Sequence, residues 1–258
     1  MTGSSPPRSI RVLVLYPEVM DVYADRGNLI ALRARAAAHD IDLEVTNVGL
    51  GDPLPEDADL VLIGGGQDAE QRRVAADLVA RGPRLRAWVE EGAGVLAVCG
   101  GFQLFGHSYR TAEGEDLPGI GVFDVTTVAP PPGWDRCIGD VLAVANFEDV
   151  GELVGFENHG GRTYLGAQAR PLARVLFGHG NNDDDASEGA VYREAIGTYL
   201  HGPVLPKNPA LTDRLLLAAL RHRYGVAATL EAVAVDRWAE RAHSTAAVTA
   251  RLRGRPRT

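Results

Sequence analysis

Apolar positions in this chain fall into short, dense runs. Ile10–Tyr16 reads IRVLVLY, which predicts a buried strand of β-branched and aliphatic residues. Ile41, Leu43 and Val45 alternate with polar neighbours, so Ile41–Val48 predicts a second strand. Asp59–Ile63 and Gly94–Val98 predict two more. Asn28–Ala38 has a helical pattern, and Gln71–Glu91 reads as one or two helices broken near Gly82-Pro83. This alternation predicts a parallel sheet with helices on both faces.

After about Ile120 the pattern changes. Segments 138–145, 151–156, 172–177 and 190–200 read as short strands parted by turn residues, and predict antiparallel additions to the sheet. Pro209, following the good cap Asn208, opens a helix to about Tyr224. The expected organisation is a flexible leader at 1–9, one α/β domain at 10–225, and a C-terminal helix with a basic tail at 226–258.

Charge narrows the function classes. The 258 residues carry 34 acids against 26 bases, a net charge of −8, which argues against a nonspecific grip on nucleic acid. Lys207 is the only lysine, so the G-x-x-x-x-G-K-[ST] loop for ATP is absent. No apolar run reaches the ~20 residues of a membrane span. The first apolar run is broken by Arg11 and ends at Pro17, unlike a signal peptide, so a cytoplasmic protein is expected. Cys99 and Cys137 make no disulfide scaffold, and no zinc spacing occurs, so no metal is expected. Asp183–Asp185 reads as a solvated loop. From Arg237 onward there are six arginines and one acid, which reads as a frayed helix end or as an arm for an acidic partner or a membrane surface.

The strongest chemical signal is Gly94-Val-Leu-Ala-Val-Cys99-Gly100-Gly101-Phe-Gln103. A buried strand runs into a small nucleophile, and two glycines lead into a helix: a nucleophile elbow with Cys in place of Ser. The tight turn requires small neighbours. A helix N-terminus aimed at a thiol favours the thiolate, and the Gly100 N–H is placed to bond an oxyanion. Gly64-Gly65-Gly66-Gln67 follows a neighbouring strand and offers further backbone donors. A thiol nucleophile needs a base. His201 stands at the end of the strand Gly197–Leu200 and is the first candidate, and His159 is the second. Cys137 reads as structural.

Five segments together resemble class I glutamine amidotransferases of the cobyric-acid-synthase-like branch. They are Tyr23–Asn28, Ile63–Asp68, Ala97–Gln103, Gly155–Thr163 and Gly197–Pro209, spread over roughly residues 10–220. Within the branch they are similar to the glutaminase subunits of lipid II isoglutaminyl synthases. The resemblance implies a flavodoxin-like α/β fold with a central, mostly parallel sheet. It implies that Cys99 attacks the amide of L-glutamine to give a thioester, that His201 moves protons, and that Gly65 or Gly66 with Gly100 holds the oxyanion. Arg136 is implied to bind substrate, as a guanidinium for a carboxylate, against a plain surface salt bridge. Gln103, Gln67, Asn158 and His159 are further candidates for substrate contact. The implied partner is a Mur-ligase-like synthetase that binds ATP and Mg²⁺ and amidates the D-isoglutamate α-carboxyl of lipid II. No cofactor is implied on this chain, and the membrane's inner face is reached only through the partner.

One departure stands out. Many triad amidotransferases carry Glu two residues after the catalytic His, and here that position is Pro203. The third group is therefore expected from elsewhere, including the partner. The competing readings are an amidotransferase serving another synthetase, such as one of corrinoid synthesis, a noncatalytic binding module on this fold, and a cysteine peptidase or redox sensor.

Overall fold

The computed structural model describes residues 8–22, 25–131, 133–231, 233 and 236–257. The first half runs β1 (Arg8–Leu15), α1 (Arg26–Ala38), β2 (Ile41–Val48), β3 (Leu60–Ile63), α2 (Asp68–Glu91), β4 (Gly94–Val98) and α3 (Gly100–Phe105). Next come β5 (Ser108–Arg110), β6 (Asp116–Pro118), β7 (Val125–Val128), β8 (Cys137–Ala145), β9 (Glu152–His159) and β10 (Arg162–Leu165). The chain then passes through β11 (Ala173–Phe177), β12 (Ser187–Glu188), β13 (Ala190–Tyr192) and β14 (Ala195–Thr198) to α4 (Pro209–Tyr224) and α5 (Arg237–Arg253).

Six strands form the central sheet in the order β13-β14-β4-β3-β1-β2. All its pairings are parallel except the β13–β14 hairpin. β3 and β4 are buried at every position, so both of their faces are covered, which is why they read as unbroken apolar runs. α1 packs with α4, and α2 packs with α3.

Several expectations need correction. Strand β1 already includes Arg8 and Ser9, which the sequence placed in a leader; residues 1–7 lie outside the described residues. α2 is one continuous helix through Gly82-Pro83. Gly82 fits there because a Cβ would lie 3.1 Å from the Ile120 side chain. Pro83 removes one helix bond, but the buried Leu78, Leu85 and Trp88 on either side hold the helix together. Segment 190–200 is a hairpin, β13–β14, rather than one strand. Most of the second half forms two sheets of its own, β10-β7-β5-β6 and β12-β11-β8-β9, instead of extending the central one.

The basic C-terminus is not frayed. α5 buries Ala247 and Ala250 against Leu142 and Val154. Beyond it, the Gly178 N–H donates to the Arg255 carbonyl (2.8 Å) and the Arg257 N–H donates to the Leu176 carbonyl (2.9 Å). Arg255 and Arg257 both pair with Asp183. The acidic loop read as solvated is therefore the dock for the chain's own tail.

Candidate active site

β4 runs directly into Cys99, whose backbone sits at φ 50° and ψ −107°. L side chains rarely occupy that region, and the strain persists only where surroundings impose it. Here the Cys99 N–H donates to the Thr198 carbonyl (2.8 Å), and the Cys99 carbonyl accepts from the Gln103 N–H (2.9 Å). A Cβ on Gly100 would lie within 2.8 Å of the Gly66 backbone, so elbow and glycine loop are in contact. Cys99 is 8% exposed and lines a cleft of about 610 Å³.

His201 follows β14 and is fully buried. Its N–H donates to the Phe156 carbonyl (2.7 Å), and its carbonyl accepts from the Phe156 N–H (3.1 Å), so β9 clamps its backbone. Its Nδ1 lies 3.2 Å from Asp25 Oδ1. Burial alone would disfavour a charged imidazole, but hydrogen bonds to Asp25 and Cys99 outweigh it and push the group up to about 10.

Asp25 is the residue the sequence reading missed. It is 5% exposed and stands just before α1, where an Asp is ordinarily a helix cap. Its carboxylate makes no capping bond. Instead Oδ2 accepts the Gly65 N–H at 2.7 Å, while Oδ1 faces His201. A Cβ on Gly65 would meet His201 Cε1 at 3.0 Å, Asp25 Oδ2 at 3.2 Å and Cys99 Cβ at 3.4 Å, so three functional groups converge on this glycine.

That geometry corrects three expectations. The Gly65 N–H is committed to Asp25, so of the expected oxyanion donors only Gly66 and Gly100 remain candidates. The chain itself places a carboxylate, that of Asp25, beside His201. His159 does not line the cleft. It is buried, stacked on Tyr199 with ring centroids 3.7 Å apart, and bonded through Nδ1 to the Gly161 carbonyl. Burial lowers its pKa and keeps it neutral.

Gln103 does line the cleft, but both ends of its amide are engaged: Nε2 donates to Tyr199 Oη (3.0 Å) and Oε1 accepts from Gln71 (2.8 Å). Gln67 is exposed at the rim and caps α2 together with Glu70. Across the mouth, Arg136 Nε donates to Asn158 Oδ1 (3.0 Å) and another guanidinium nitrogen donates to the Asn158 carbonyl (3.1 Å). Cys137 is buried on β8, and burial pushes its thiol up to about 12, leaving it unreactive at neutral pH. Among the described residues no group of three or more His, Cys, Asp or Glu side chains could hold a metal, and no helix is long and apolar enough to cross a membrane.

A cysteine elbow with a buried histidine behind it, at the carboxyl end of a parallel sheet, defines a class I amidotransferase arrangement. The profile of the CobB/CobQ-like glutamine amidotransferase domain matches residues 11–209, and the chain belongs to that family. It is 40% identical over 205 residues to the GatD subunit of lipid II isoglutaminyl synthase (glutamine-hydrolyzing) from Staphylococcus aureus, covering 79% of this chain and 82% of the relative. The Streptococcus pneumoniae GatD subunit is 38% identical over 221 residues, covering 85% and 84%. A cobyric acid synthase from Brucella abortus is 33% identical over 204 residues, but this chain spans only 38% of that protein. Among solved structures, PurLQS from Thermotoga maritima aligns at TM-score 0.58 and 17% identity, over 83% of this chain and 99% of the other. The glutaminase domain of CTPS from Trypanosoma brucei, solved with bound acivicin, aligns at 0.53 and 11%, over 88% and 98%. At such identities the structures speak for the fold alone.

Proposed function

We propose that this chain is the glutaminase subunit of a lipid II-amidating synthase. The observation that carries the reading is the convergence of Cys99, His201 and Asp25 on Gly65, in a chain about 40% identical to GatD subunits along most of its length. Cys99 Sγ attacks the side-chain amide carbon of L-glutamine. The oxyanion forms against the Gly66 and Gly100 N–H groups. His201 gives a proton to the leaving nitrogen, ammonia departs, and a γ-glutamyl thioester remains. Water, deprotonated by His201, then releases glutamate and restores the thiol. Asp25 is a positioning residue. It fixes the imidazole through Nδ1 and favours its charged form, while its second oxygen holds the glycine loop in register.

Ammonia then passes to a separate Mur-ligase-like synthetase that carries ATP and Mg²⁺ and amidates the D-isoglutamate α-carboxyl of lipid II. This division of labour is supported by the relatives' names as glutamine-hydrolyzing subunits and by the lack of an ATP loop here. It sets the work in the cytoplasm, with the membrane's inner face reached through the partner. The test is mass spectrometry after exposure to a reactive glutamine analogue. A single adduct on Cys99, blocked by excess glutamine, is expected. An unlabelled Cys99, with or without a candidate synthetase, overturns the reading.

A further inference from the structure

Free glutamine differs from a glutamine side chain within a protein by its α-ammonium and α-carboxylate. A site that selects the free amino acid does so most strongly by presenting an anion and a cation at the distal end of the cleft. Arg136 provides the cation. Among the described residues its guanidinium is bonded only to neutral oxygens of Asn158, which leaves its charge uncompensated toward the cleft.

The anion has a candidate that no expectation named. Asp68 is the first residue of α2, directly after the glycine loop, and it lines the same cleft as Cys99 and Arg136. Its Oδ1 accepts the Tyr109 hydroxyl at 2.8 Å. Tyr109 is 4% exposed, and burial together with the Asp68 carboxylate holds its phenol protonated, so it acts as a fixed donor. Asp68 is thus a half-buried carboxylate with a locked orientation and a second oxygen outside that bond. The neighbouring cation, Arg72, directs its close contact to Glu115 (2.5 Å) and a looser one to Glu113 (3.7 Å). Among the described residues no arginine, lysine or histidine makes a close ion pair with Asp68; the Arg72 charge acts on it, but more weakly than on Glu115. Helix capping does not account for it either, because Gln67 and Glu70 form the capping box.

We infer that Asp68, held by Tyr109, is the specificity residue that binds the α-ammonium of glutamine opposite Arg136. The inference rests on the glutaminase reading and names how that site recognises its substrate. An ammonium bound by a half-buried carboxylate makes a charge-assisted hydrogen bond, and a substrate lacking the amine forfeits it.

The experiment compares L-glutamine with glutaramate, the same molecule without its α-amine, on the full-length chain and on Asp68→Asn. The Asn variant keeps an acceptor for Tyr109 and removes only the charge. The wild type is expected to discriminate against glutaramate in KM. Asp68→Asn should raise KM for glutamine about tenfold or more, leave kcat within about threefold, and leave glutaramate kinetics unchanged. Tyr109→Phe, which frees Asp68 without discharging it, should raise KM about threefold. Equal effects of Asp68→Asn on both substrates, or a fall confined to kcat, overturn the inference while the glutaminase reading stands. A wild-type chain that hydrolyses no glutamine, with or without a candidate synthetase, overturns both.

Discussion

The floor and the mouth of the cleft are built on opposite plans. At the floor, Cys99, His201, Asp25 and Gly65 are buried and close together, and each named contact is made by a strand end or a glycine turn. At the mouth, Arg136, Arg72 and Gln67 are exposed and hang from loops or helix surface. The floor is prearranged by these buried contacts, whereas the side chains at the mouth stand in solvent. A group fixed before the reaction acts on the transition state; a group that closes on substrate acts mainly on affinity. Substitutions at the floor should therefore lower kcat, and those at the mouth should raise KM.

The largest effect is expected at the nucleophile. Cys99→Gly and Cys99→Ala should both abolish turnover and labelling. Only the glycine relieves the positive φ, so it should melt higher than the alanine variant, by the equivalent of about 1 kcal/mol. Equal melting temperatures would show that the elbow stores no backbone strain.

Next comes Asp25→Asn, expected to lower kcat by about 10²–10⁴ with little change in KM. Without the carboxylate, His201 keeps the Cys99 contact but loses the one to Asp25, and its titration, followed by NMR, should move down from about 10. An unmoved titration would strip Asp25 of its positioning role.

Arg136→Ala tests the other side of the comparison. KM for glutamine should rise about tenfold with kcat nearly kept. A loss confined to kcat would mean that the mouth is as prearranged as the floor.

The effect that leaves turnover least touched, a change in stability, lies beneath both regions. Glu188 is fully buried, accepts the Thr198 hydroxyl and the Tyr199 N–H through Oε1, and is raised by burial from 4.5 to about 7. A carboxyl raised in the folded state holds its proton more tightly there, so its contribution to stability is full below about pH 4.5 and declines as pH rises through about 7. Relative to the wild type, Glu188→Gln should gain stability between pH 5 and 8, on the order of 2–3 kcal/mol. Parallel melting-temperature profiles for the two proteins would refute this.

Much of the floor can be read along the chain because it is local. The run into Cys99 and its two glycines is one uninterrupted sequence, and His201 ends a legible strand. Asp25 is not legible, because its contact with His201 spans 176 positions and its place before a helix has an ordinary explanation as a cap. His159 misled for the opposite reason: its polar, glycine-rich neighbours look like a loop, while the ring is stacked inside the core. The second half yielded its longer strands but not their sheets. β7 pairs with β5 and β10 rather than with its neighbour β8, and apolar alternation says nothing about which strand lies alongside.

The docked tail has a consequence of another kind. β12 pairs with β11 only at Ala173 and Arg174, so the far end of β11 would be a bare strand edge. Residues 255–257 cover it, with Pro256 bridged to Phe177 and the arginines anchored on Asp183. Proline and charge are what sheet proteins place where a neighbouring molecule must not add a strand. Clipping the last few residues would leave the cleft intact and unmask a sticky border. The damage should appear as concentration-dependent clumping during storage, with turnover per folded molecule unchanged.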